Sequence, residues 1–242
     1  MISDMAFSPA FVLDSNDGNA RKNFPISLRI FSKNTDRESI FGLRYRAYLE
    51  AKLIDSCARQ TFSDAYDDMD STKTIGAFHN DVCIGSLRLA FGRAGSATPT
   101  MPCQSVFGDA DVLKSPSSGR LVEFTRMVVA PDISNNSFRT TLYGSLVRAG
   151  MIVCNAGRAD MALIAVLPKM MPFYKAMCGF KYIAGPRAYP GVTFDINLMG
   201  GDFRKLDAER DRRNRFFKIT ADEIDQARRV FAPSEVALQA AG

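Results

Sequence analysis

The chain has 242 residues, of which 46% are hydrophobic and 24% charged, the proportions of a soluble globular protein with one large domain or one domain and a small appendage. No apolar run reaches the roughly 20 residues that span a bilayer, and the five cysteines and single histidine show no metal-ligand spacing. The net charge of +5 concentrates in residues 204–218, "RKLDAERDRRNRFFK", where seven basic residues mix with three acidic ones and no aromatic stacking platform for single-stranded nucleic acid interleaves them.

Residues 1–24 lack the basic start and unbroken apolar stretch of an export signal and carry Pro9, so a loosely docked arm is expected. "PISLRIFSKN" (25–34) alternates as a half-buried strand does. Asp36 then caps an expected helix to about Ile54, with Ile40, Leu43 and Ala47 at helical spacing. An acidic loop, "QTFSDAYDDMDS", leads into two strand-like runs, "KTIGAF" and "VCIGSLRLAF", joined by a turn at "HND". Residues 92–119, rich in Gly, Ser, Pro and Thr, read as a long irregular insertion.

The next strand poses a problem. "GRLVEFTRMVVAP" (119–131) is apolar enough to be buried, yet Glu123 and Arg126 interrupt it. In a regular strand these two residues face opposite ways. A β-bulge would bring Arg126 round to the face of Glu123, so an irregular ladder is expected between Leu121 and Val129. A helix ending at Gly157, a buried strand at "DMALIAVL", a short helix at "PKMMPFYKAMCG" and strands near "FKYI" and "GVTFDINL" follow. A charged helix over 204–218 and a final one opened by the Thr220–Glu223 capping pattern end the chain. The element order is that of an α+β mixed sheet flanked by helices. With no repeat or linker, an arm (1–24), a main domain (25–200) and a helical C-terminal extension packed on it (201–242) are the expected parts.

Four spaced motifs carry a resemblance. They are "LRYRAY", with Arg44 and Tyr48 on one helix face; "DDMD", with Asp67 and Asp70; "GSLRLA", with Arg88; and "EFTR", with Glu123 and Arg126. In this order the chain resembles the acyl-homoserine-lactone synthases and their relatives, the long-chain N-acyl amino acid synthases, over about residues 30–185. The resemblance implies a Gcn5-related N-acyltransferase-like sheet, splayed at the fourth core strand to admit a thioester arm. It implies catalytic roles for Glu123 and Arg126, with Glu123 as general base at the mouth of a cleft. It also implies substrate contacts from Arg44, Tyr48, Asp67, Asp70, Arg88 and, in the segment "TMPCQSVFGD", Phe107. The arginines and aspartates are expected to interlock, so chemical and structural roles stay open to each. One of Arg44, Arg46 or Arg126 is expected to bind the carboxylate of an amino acid acceptor. Phe173 and Phe180 read as packing residues.

Two departures shape the expected reaction. The lactone synthases usually place a tryptophan in the N-terminal cleft, where S-adenosylmethionine binds, and this chain has none. The glycine-rich turn with which coenzyme-A-using cousins cradle a pyrophosphate is replaced by "PDISNNSFRTTLYG". The expectation is therefore fatty acyl transfer from the phosphopantetheine thioester of acyl carrier protein to an amino acid amine, with no bound cofactor or metal. The acidic carrier would dock on the basic face at residues 204–218. A lactone synthase using S-adenosylmethionine, an ornithine-type acceptor, and a non-catalytic carrier- or lipid-binding module are the alternatives. Scattered thiols suit a reducing cytoplasm, with the inner membrane surface a further option.

Overall fold

The structure is a computed structural model that describes residues 6–13, 24–33, 36–203, 205, 216 and 218–228. Its strands are β1 (Ala6–Leu13), β2 (Phe24–Phe31), β3 (Thr72–His79), β4 (Val82–Arg93), β5 (Arg120–Val129), β6 (Met161–Val166), β7 (Lys181–Arg187) and β8 (Ile196–Asp202). They form one mixed sheet in the order β1-β2-β3-β4-β5-β6-β8-β7. Every neighbouring pair is antiparallel except β5 and β6. The helices are α1 (Glu38–Glu50), α2 (Pro102–Phe107), α3 (Asp111–Lys114), α4 (Asn136–Ala156), α5 (Met171–Cys178) and α6 (221–228).

Local chemistry sets these elements. The β3–β4 hairpin closes through Asn80 and Asp81, both at positive φ (47° and 61°), as a tight two-residue turn requires. Asn135 caps α4 by accepting the Phe138 N–H at 2.9 Å, and Gly157 ends the helix. Thr220 and Glu223 make the expected reciprocal cap of α6. Helix α4 crosses one face of the sheet so closely that a Cβ at Gly150 would stand 2.6 Å from the Phe124 ring and 2.8 Å from Leu87. That face holds the main core, including Leu87, Leu89, Val122, Phe124, Leu142, Leu146 and Ile164. Helix α1 and the 100–114 insertion cover the other face.

The structure differs from the sequence reading in four places. The N-terminal arm supplies an edge strand, β1; Pro9 falls in its register break between Phe7 and Phe11, where a missing N–H costs no ladder bond. Helix α1 stops four residues before Ile54, because Lys52 turns left-handed (φ 55°) while the Leu53 N–H bonds the Tyr48 carbonyl and the Lys52 N–H that of Leu49, a Schellman ending. The insertion contains α2 and α3, and the last strand starts at Ile196, beyond the "GVTF" turn. The charged helix expected at 204–218 lies outside the described residues except for positions 205, 216 and 218. Beyond it, Glu223 pairs with Arg148 of α4 at 2.8 Å and Ala227 packs on Ile152.

Candidate active site

Strand β5 is irregular where its sequence is irregular. Arg88 stands opposite Thr125 and Ser86 opposite Val128, so Leu87 alone faces Arg126 and Met127. This is a β-bulge, and Arg126 takes it up with a φ of 53°. The bulge turns Arg126 to the face that already holds Glu123 and Arg88. It also coincides with a splay: β5 pairs with β6 from Leu121 to Phe124 and then leaves it, while β6 runs on against β8.

On that face the charged side chains interlock. Arg44 of α1 donates to Asp67 Oδ1 at 2.8 Å, and Arg88 reaches Asp67 Oδ2 at 3.0 Å and Asp64 Oδ1 at 2.5 Å. Arg126 donates through Nη2 to Asp64 Oδ2 at 2.7 Å and lies over the Phe62 ring, 4.5 Å from its centre. Arg44 and Arg88 are wholly buried and Arg126 nearly so, while Asp64 keeps about a quarter of its side chain exposed. Burial alone would raise both aspartates; the guanidiniums of Arg88 and Arg126 hold Asp64 well below the usual carboxylate range, and those of Arg44 and Arg88 lower Asp67.

Glu123 sits apart from these ion pairs. It has no exposed surface; Oε1 accepts the Tyr189 hydroxyl at 2.5 Å, and Oε2 accepts the Cys103 N–H of α2 at 2.9 Å. Burial raises its pKa, moderated by the Tyr189 and Cys103 donors. The next residue, Pro190, accepts from Arg126 Nη2 at 3.2 Å. One loop, between β7 and β8, therefore touches both residues that interrupt the β5 sequence.

A groove of about 290 Å³ opens between the C-terminal part of α1 and the splayed end of β5. Ala47, Tyr48, Leu53, Met127, Val129, Arg139 and Tyr143 are among its lining residues. Tyr48 stacks at 4.9 Å on Phe62, which carries Arg126 on its ring, so groove and charge cluster are contiguous.

The structure thus joins Arg44, Asp67, Arg88 and Arg126 as expected and places Tyr48 at the groove. Three positions need correction. Asp70 is a surface residue, 83% exposed and paired with Lys33; Asp64 holds the second acidic position of the cluster. Glu123 is enclosed, not at a cleft mouth, because α2 and the β7–β8 loop both close on it. Phe107 is fully buried among Met101, Cys103, Leu121, Leu163 and Leu198, a core side chain of the insertion. Arg46 lies on the exposed face of α1. Asp64 is brought in by the structure, where Asp64 and Asp67 form a capping box on the short 3-10 turn Ala65–Asp68. Tyr189 left no spacing signal.

The sheet is an α+β mixed sheet like that of the Gcn5-related N-acyltransferases, splayed where β5 leaves β6, with the buried charge cluster beside the splay. A family model described as N-acyl amino acid synthase FeeM matches residues 39–202, and the chain belongs to that family. The structure of FeeM, an N-acyl amino acid synthase from uncultured soil microbes, superposes with a TM-score of 0.60 at 16% identity, covering 78% of this chain and 98% of that one. The acyl-homoserine-lactone synthase LasI gives a TM-score of 0.53, with 14% identity and coverage of 74% and 90%. The CoA-dependent acyl-homoserine lactone synthase BjaI gives 0.52, with 18% identity and coverage of 82% and 96%. At these identities the solved structures share the fold alone. No curated protein matches the sequence.

Proposed function

We propose that the protein moves a fatty acyl group from the thioester of acyl carrier protein to the amine of an amino acid. The observation that carries the reading is the contiguity of the groove at the β5 splay with the charge cluster around Arg126. A thioester arm entering the groove would run beside the unpaired edge of β5. Arg44, Arg88 and Arg126 set against Asp64 and Asp67 leave one guanidinium charge in excess within this set of five, which suits an acceptor bearing a carboxylate.

The reaction needs few protein groups. The amine nitrogen attacks the thioester carbonyl carbon, the N–C bond forms, the C–S bond breaks and the thiolate leaves to take up a proton. The ammonium form of the acceptor must first lose a proton, and Glu123, its pKa raised by burial, is the group suited to receive it.

The loop before α4 favours a carrier-protein donor over coenzyme A. Its Ala130, Pro131 and Ile133 carbonyls turn inward to Arg139 Nη1 (3.1, 3.4 and 3.2 Å), and Asn135 already occupies the Phe138 N–H. A pyrophosphate needs free N–H groups there. The basic stretch at 204–218 would receive the acidic carrier.

The test supplies purified protein with acyl carrier protein or coenzyme A thioesters and either amino acids or S-adenosylmethionine, and reads product mass. An N-acyl amino acid formed from the carrier thioester, and lost in Glu123→Gln, is the expected result. A homoserine lactone product overturns the acceptor assignment, and carrier binding without any product overturns the enzymatic one.

A further inference from the structure

The loop between β7 and β8 is fastened over the site as a strap. Tyr189, nearly fully buried, gives its hydroxyl to Glu123 Oε1 at 2.5 Å. Pro190 gives its carbonyl to Arg126 Nη2 at 3.2 Å. Gly191 (φ 76°) lies so near the cluster that a Cβ would meet both Arg126 Nη2 and the Phe62 ring at 3.2 Å. The Thr193 N–H then ties the strap to the Leu53 carbonyl at the end of α1, at 3.0 Å.

Adjacent residues thus place a hydrogen-bond donor on the site's carboxylate and an acceptor on its guanidinium. An amino acid carries the same two functions, an ammonium that donates and a carboxylate that accepts. The strap's versions are neutral. Exchanging them for charged ones strengthens both hydrogen bonds, and most so where water is excluded.

We propose that Tyr189 and Pro190 occupy the seat of the amino acid acceptor as an internal surrogate, and that the acceptor enters by displacing them. Its ammonium takes the hydroxyl's place on Glu123, and its carboxylate takes the Pro190 carbonyl's place on Arg126. This rests on the acceptor class proposed above. It gives a candidate base with no exposed surface a route to the acceptor, because the group that closes on it comes from a loop without regular structure.

The test is calorimetry on the full chain with a panel of L-α-amino acids offered singly, together with the methyl ester and N-acetyl derivative of any that bind. Blocking either charged end should weaken binding by about tenfold or more. Tyr189→Phe, which removes the surrogate donor and keeps the ring, should bind the same amino acid several-fold more tightly. Hydrogen exchange at the Thr193 amide should speed up when wild type is saturated with that amino acid, a readout that needs no variant. Equal binding of free and blocked forms, no binding across the panel, an unchanged affinity in Tyr189→Phe, or a Thr193 amide that stays protected at saturation each overturn the proposal. Displacement of the strap without any acylated product leaves the seat assigned and overturns the enzymatic reading instead. Product formed while the strap stays protected does the reverse.

Discussion

Removing the Asp64 carboxylate leaves the guanidiniums of Arg88 and Arg126 facing each other with little water to screen them. Asp64→Asn should cost roughly 3–5 kcal/mol of stability in urea unfolding, as breaking a buried pair does. Asp70→Asn, at the surface against Lys33, should cost no more than about 0.5 kcal/mol. The sequence could not rank these two: acids recur every third residue at 64, 67 and 70, and the choice is made by a short 3-10 turn that points Asp64 and Asp67 inward. The pH dependence separates the carboxyls further. Asp64 and Asp67 titrate lower in the folded chain than in the unfolded one, so the unfolded chain binds more protons in acid, and their contribution is lost as pH falls below about 4. Glu123 has the opposite sign. Its folded pKa is raised, so the folded chain holds a proton that the unfolded chain releases above about 4.5, and wild-type stability falls as pH rises from there until the folded pKa is reached. Glu123→Gln lacks this loss, so denaturation across pH should show its stability rising relative to wild type from about pH 4.5 upward.

At the scale of elements, the insertion between β4 and β5 is packed as core. Arg187 forks onto Asp109 and also bonds the Val106 carbonyl, while Phe107 fills the space beneath α2. Phe107→Ala should therefore destabilise by about 3–5 kcal/mol in chemical denaturation. An unchanged melting curve with altered acyl-chain preference would restore a substrate-lining role. Lys52→Gly should gain up to about 1 kcal/mol in thermal melts, because the Schellman ending of α1 holds a lysine in a left-handed conformation that glycine adopts freely. How legible an element was depended on whether its signal was local. The bulge in β5 could be read because two charged residues at the wrong parity demand one. Helices of six and four residues are too short for periodicity to reveal, and a helix stop built on lysine carries no glycine to mark it. Strand β1 was hidden by Pro9, which belongs to an edge bulge that the sequence alone does not distinguish from a loop.

For the whole molecule, the choice of thioester donor is an electrostatic question. If an acidic carrier docks on residues 204–218, KM for the carrier thioester should climb steeply with ionic strength while kcat holds, as measured in initial rates across a salt series. A flat salt response would remove that surface from the reaction. The architecture has a further consequence. Strands up to β5 are contiguous in sequence and pair antiparallel, β6 to β8 form a second contiguous set, and the two sets meet through the register pairs from Leu121–Met161 to Phe124–Ile164. The seam holds four register pairs and is the parallel pairing of the sheet, slightly less stable per residue than its antiparallel ones. That seam is thus a natural line along which the two sets can part. A polypeptide cut in the turn after α4 should give two pieces able to find each other again.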